Sequence, residues 1–324
     1  MSDNSPQRFR DRGIVFESGI RGRNVEIPTA NPINFHQAIS DPSAMPPLSV
    51  DGKLFLPAEA SGPLPCVIVA PGSLGVADSH ISHAETATRL GFAAFVLDSF
   101  SARSVTSTVA NQTQFSFAAS AYDVLAAWQA LAAMPEIDAG QIGAQGHSRG
   151  GSAVIMAATR VLADAILGPE KGLKAVYAAY PWSGQQFLAP GIGSTCLRAI
   201  IGDADEWCSP MQVQTHMQAI RLTGGEISFR LLGGIHHSFD RGAPIVDVPE
   251  ASVSPCAPVA YLSDDGAFIH PLEGQPDPAL TDRDLMLYGV KSGFGRKGAK
   301  IGGTAESATL FKEDMSTFWR EAVE

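Results

Sequence analysis

The sequence contains no apolar stretch of membrane-spanning length, so a bilayer-embedded protein is not expected. It also has no cluster of Lys and Arg. With a formal net charge of −10, a phosphate-binding surface is excluded as its main feature. The nearest basic stretch, 291–300, is glycine-rich and reads as a solvated loop. The first thirteen residues are polar and charged and lack an apolar h-region, so no cleaved secretory signal is expected. Cysteine is scarce: Cys66, Cys196, Cys208 and Cys256 are scattered without C-x-x-C spacing. Reduced thiols in a cytoplasmic protein are the expectation. Internal repeats and low-complexity tracts are missing too. The expected partner is a small molecule, with neither nucleic acid nor membrane, and the oligomeric state is left open.

What is present is an alternation of strands and helices. The 324 residues suffice for one large α/β domain. Residues 1–12 read as a flexible lead and 13–324 as a single domain. Short strands are expected at 14–17 and 24–28, and a hairpin at 48–57 around Asp51-Gly52. The run 66–70 is apolar and rich in β-branched residues, the pattern of a strand buried on both faces. A helix at 83–90 closes on Gly91, a strand follows at 92–97, and helical spacing covers 115–134 up to Pro135. Further strands are expected at 141–145, 175–179, 197–201 and 227–232, with helices at 152–159, 211–222 and 305–323. This order implies a parallel sheet with helices on both faces and sites at the carboxyl ends of its strands. Between 241 and 304 the pattern lapses into a Pro-, Gly- and Asp-rich stretch. It reads as an irregular insertion, either a lid or a surface excursion.

One such strand end carries Gly146-His147-Ser148-Arg149-Gly150-Gly151. Strand, tight turn and helix with serine at the apex is the nucleophile elbow of serine hydrolases. The glycines are there because a Cβ two residues either side of the serine would meet neighbouring backbone. The helix N-terminus behind the serine offers unpaired N–H groups where negative charge develops. A serine nucleophile needs a base, and the base an orienting carboxylate. In α/β-hydrolases these follow in the order Ser, acid, His. The strand 197–201 leads into Gly202-Asp203-Ala204-Asp205-Glu206, and the strand 227–232 into His236-His237-Ser238-Phe239. Either aspartate could simply cap the next helix, and one histidine is only a loop residue. Asp240 reads as a surface turn. The second oxyanion donor beside Arg149 N–H is expected from the loop Pro71-Gly72-Ser73-Leu74-Gly75, from Ser73 or alternatively Leu74. His80 and His83 show no third ligand, so no metal is expected, and no cofactor is required.

These residues resemble the dienelactone hydrolase family of α/β-hydrolases. The similarity is carried by Pro71 to Gly75, Asp98-Ser99-Phe100, Gly146 to Gly151, Gly202 to Asp205 and His237-Ser238-Phe239. It implies an α/β-hydrolase fold, Asp205 as the acid and His237 as the base. The namesake enzymes carry cysteine at the elbow, where this chain has Ser148. That difference implies ester rather than lactone hydrolysis. The family's arginine for a substrate carboxylate falls near Arg103. Tyr180, Trp182 and Trp207, just past strand ends, are candidates for an apolar acyl or alcohol pocket. The expected function is hydrolysis of a small carboxylic ester through an acyl-enzyme. The alternatives are a dienelactone-type lactone hydrolase, a prolyl-oligopeptidase-like peptidase and a non-catalytic hydrolase-fold ligand-binding protein.

Overall fold

The structure, a computed structural model, describes residues 7–59 and 62–322. Its elements begin with β1 (Arg23–Ala30), α1 (Phe35–Ser40), β2 (Pro47–Phe55) and β3 (Leu64–Ala70). They continue with α2 (Asp78–Arg89), β4 (Ala93–Asp98), α3 (Phe117–Ala132) and β5 (Ile137–His147). Next come α4 (Arg149–Ala158), α5 (Arg160–Leu167), β6 (Ala175–Ala179), β7 (Gln185–Phe187) and β8 (Cys196–Gly202). After them stand α6 (Pro210–Leu222), β9 (Ile227–Leu232), β10 (Val246–Val253), β11 (Ala260–Leu262) and β12 (Phe268–Ile269). The last are β13 (Pro276–Asp277), α7 (Asp282–Lys291), β14 (Arg296–Ile301) and α8 (Ala305–Glu321).

Eight strands form the main sheet, in the order β1-β2-β4-β3-β5-β6-β8-β9. The β1–β2 and β2–β4 pairs are antiparallel, and every later pair is parallel. This is the α/β-hydrolase arrangement, a mostly parallel sheet with helices around it. Its centre is apolar on both faces: Val67, Ile68, Ala94, Phe95, Ala144 and Val176 are all buried. Each large side chain placed there contributes about 1.5–3 kcal/mol of hydrophobic stabilisation. Among the described residues no single helix is long and apolar enough to cross a membrane. The four cysteines are unpaired.

Several local expectations are corrected. The supposed hairpin at 48–57 is one continuous strand, β2. Gly52 pairs with Leu97 of β4 and Val25 of β1. The glycine serves packing rather than a turn, because a Cβ there would lie 1.9 Å from the Phe95 ring. The expected strand at 14–17 reduces to an isolated bridge between Val15 and Arg21. Of the supposed flexible lead, residues 1–6 lie outside the described residues. The rest is pinned: Phe9 is buried, and Arg8 and Arg10 both bind the buried Asp51 carboxylate.

The stretch 241–304 is also more ordered than its sequence suggests. β10 and β14 form an antiparallel pair, and β11 to β13 join β7 in a second small sheet. Strands of two or three residues are too short to show periodicity. β10 contains Pro249 and a register shift between Val248 and Ser252, which breaks alternation.

Candidate active site

The chain leaves β5 at His147 and enters α4 at Arg149, so Ser148 alone makes the turn. Its φ of 54° lies in the left-handed region, a strained conformation for a residue with a Cβ. The tightness of the turn explains its neighbours. A Cβ on Gly146 would sit 2.1 Å from the Gly150 carbonyl oxygen, and one on Gly150 would sit 2.3 Å from that of Ala70.

Ser148 Oγ lies 2.9 Å from His237 Nε2, and His237 Nδ1 lies 2.7 Å from Asp205 Oδ2. The second carboxylate oxygen, Asp205 Oδ1, accepts the backbone N–H groups of Trp207 and Cys208 at 2.8 and 2.9 Å. All three members are buried. With the carboxylate acceptor on Nδ1, the imidazole carries its proton there and presents Nε2 to the serine hydroxyl. The Trp207 ring stacks on His237 with centroids 5.3 Å apart, and the Tyr180 ring meets it edge-on at 4.7 Å. The stretch 241–304 braces both stacked residues: Gly302 N–H donates to His237 O at 2.8 Å, and Trp207 Nε1–H donates to Lys300 O at 2.7 Å.

The other aspartate and histidine stand apart. Asp203 accepts from Gly234 N–H at 2.6 Å, close to the surface. His236 is half-buried and takes no part in this line of bonds. Ser73 lies beside Ser148 on a shared cavity wall. Among the described residues, neither its amide nor that of Arg149 has a hydrogen-bond acceptor. The Ser73 hydroxyl donates to Gln112 Oε1 at 3.0 Å.

The arginine side chains are structural. Arg149 is buried between the Phe115 and Phe117 rings at 4.3 and 4.1 Å. It donates to the carbonyls of Gln112, Phe115 and Ser116 and to Ser120 Oγ. Burial pulls its pKa down to about 9. Arg103, expected near a substrate carboxylate, is instead paired with Asp123 at 2.7 Å, with its remaining donors on Asn31, Ser99 and Ala30. It lines neither cavity beside Ser148.

Two cavities flank the serine. The larger, about 1070 Å³ with the open solvent at its mouth included, is lined by Ser73, Ser148, Arg149, Phe117, Trp182 and Trp207. Its outer wall comes from the insertion, including Val253, Leu285 and Met286. The smaller, about 350 Å³, is lined by Gly72 to Gly75, Ser148, Tyr180, His237 and Arg241. Trp182 thus falls in the large cavity, Tyr180 in the small one and Trp207 in both.

Asp240, expected at a surface turn, is buried. It accepts from His83 Nε2 at 2.9 Å and from Tyr180 OH at 2.7 Å. Tyr180 oxygen in turn lies 3.0 Å from His147 Nδ1, and His147 Nε2 lies 3.0 Å from Gln145 Nε2. Burial pushes the Asp240 carboxyl up, but the His83 bond, the neighbouring imidazoles and the tyrosine outweigh it and hold the group well below the usual carboxylate range. Burial also keeps His147 neutral, as its place between a tyrosine and a glutamine amide requires. His83, Asp240 and His147 converge closely enough to hold a metal ion, so His83 does have further potential ligands, unlike the pair read from sequence. Here those atoms are engaged with one another and with Tyr180. Spacing alone could not reveal this, since His83, His147 and Asp240 come from three separate elements.

The model of the dienelactone hydrolase family matches residues 50–256. The chain belongs to the dienelactone hydrolase family. The match takes in Ser148, Asp205 and His237 and ends just inside the insertion. Solved structures agree on the fold. One is a dienelactone hydrolase-like promiscuous phosphotriesterase from metagenomic libraries, 16% identical, covering 93% of this chain and 99% of its own, at a TM-score of 0.52. Another, named m3DLH, is 19% identical and covers 84% of this chain and 97% of its own, at a TM-score of 0.51. A search of curated proteins found no match.

Proposed function

We propose that this member of the family hydrolyses a carboxylic ester of a small molecule through an acyl-enzyme on Ser148. The observation that carries the reading is the unbroken line of hydrogen bonds from Asp205 through His237 to Ser148, beside two amides with no acceptor.

His237 Nε2 takes the hydroxyl proton as Ser148 Oγ attacks the ester carbonyl. Asp205 holds the imidazole's tautomer and stabilises the imidazolium that forms. The amides of Ser73 and Arg149 receive the oxyanion, in a pocket where water competes little. His237 then delivers its proton to the departing alkoxide, and the C–O bond to the alcohol breaks. Water, deprotonated by His237, attacks the acyl-enzyme, and the acid and free Ser148 result. Tyr180, Trp182 and Trp207 surround the substrate. Residues 241–304 cover the site within one domain, since thirteen of the twenty-five residues lining the larger cavity lie between 252 and 290. No feature of the site favours the lactone, peptide or non-catalytic alternatives.

The test is Ser148→Ala, assayed on p-nitrophenyl acetate and with a fluorophosphonate probe. Turnover is expected to fall at least a thousand-fold and labelling to vanish, with the thermal transition retained. A variant that keeps its rate, or wild type that never labels, would rule the reading out.

A further inference from the structure

The two cavities do not share the reacting groups equally. Ser148 borders both, but Arg149 lines only the larger and His237 only the smaller. In ester cleavage the imidazolium must reach the oxygen of the departing alcohol. The alcohol is therefore directed to the side that His237 borders, and the acyl group to the other side of the serine. We propose that the large cavity is the acyl pocket and the small one the alcohol pocket. On this assignment the substrate class is esters of a bulky apolar acid with a small alcohol. The inference rests on the esterase reading above and deepens it.

The chemistry of the large cavity agrees with its size. Phe117, Trp182, Val253, Leu285 and Met286 give it apolar walls. Its two charged side chains are committed elsewhere. Arg149 spends its donors on three carbonyls and a hydroxyl. Asp282 accepts from Phe117 N–H at 2.8 Å and Gln185 Nε2 at 2.5 Å. The cavity therefore offers bulk and apolar contact, with no uncommitted charge to pair a charged acyl chain. The space on the Arg149 side is about three times that on the His237 side, open solvent counted in both, so the longer chain is placed on the former and a short alcohol on the latter.

Constitutional isomers provide the test, because they match in composition and nearly in hydrophobicity. Methyl octanoate places seven carbons on the acyl side, and heptyl acetate places seven on the alcohol side. Acid release in a pH-stat gives kcat/KM for each. The expected result is at least a ten-fold preference for methyl octanoate in the wild-type protein. Leu285→Asp, in the acyl wall, is expected to erase most of that preference by lowering the methyl octanoate value. A ratio at or below one, or a Leu285→Asp change that lowers both isomers equally, overturns the assignment. Turnover of both esters well above the Ser148→Ala level with an inverted ratio would sink the pocket assignment alone. Turnover of neither above that level would sink the esterase reading and this inference with it.

Discussion

Two aspartates flank the end of β8, and only their hydrogen bonds separate them. Asp205 gives one oxygen to His237 and the other to two backbone amides, so its position is set from both sides. Asp203 only braces Gly234 at the surface. Asp205→Asn would place an amide where a carboxylate fixes the imidazole tautomer, and a loss of roughly 10³–10⁴-fold in kcat is expected. Asp203→Asn should stay within a factor of about three. Steady-state kinetics on p-nitrophenyl acetate check both, and the reverse order would move the acid to Asp203. At this scale the sequence was readable where placement follows from chain order: Ser148, Asp205 and His237 follow the ends of β5, β8 and β9, and the fold brings them together. It misled where the role depends on residues far away in the chain. Phe239-Asp240-Arg241-Gly242 looks like a polar turn, yet Asp240 is drawn inward by His83, 157 residues earlier, and by Tyr180. Arg103 looks available for a ligand until Asp123 is found against it.

Among the elements, the buried parallel strands were legible because burial on both faces demands continuous apolar runs. β6 and β9 match their expected limits, and β3, β4 and β8 do so within two residues. The stretch 241–304 was not legible: β11 to β13 span two or three residues, β10 is interrupted by Pro249 and a register shift, and α7 and β14 are half exposed. α7 shows how this stretch docks. Its first residue, Asp282, accepts from the N-terminus of α3 at Phe117 and from β7 at Gln185. Asp282→Ala would strip both bonds from one end of the helix and leave a buried amide unsatisfied, a loss of about 1–3 kcal/mol. Arg283 and Lys291 are already on the surface, and the detached helix would free the backbone around them to enter the trypsin cleft. Cleavage there is expected to quicken at least ten-fold in limited proteolysis, with the core sheet still protected. Unchanged cleavage would mean that apolar contacts alone hold α7 in place.

For the whole molecule, the buried histidines set a direction for stability against pH. Burial lowers His80 to about 3 and His216 to about 4, and it holds His147 well below its ordinary value. Each is neutral in the folded protein near pH 6, whereas in the unfolded chain each takes up a proton as pH falls through about 6.5. The unfolded state then binds more protons, so stability must decline with falling pH. Each histidine contributes up to about 1.4 kcal/mol per pH unit over the interval between its unfolded and folded values. Asp240 adds to the same trend lower down. Its folded pKa is depressed, so the stability it confers is present above about 3.9, the unfolded value, and is lost below it. Urea unfolding measured from pH 7.5 to 5 should therefore show stability falling steadily, with the slope steepest at the acid end. His216 lies apart from the cluster around Asp240, against Ser183, and offers a clean control. His216→Asn should flatten the slope with the cluster around Asp240 left intact. A stability that stays level between pH 7 and 5 would mean that these imidazoles titrate alike in the folded and unfolded chains.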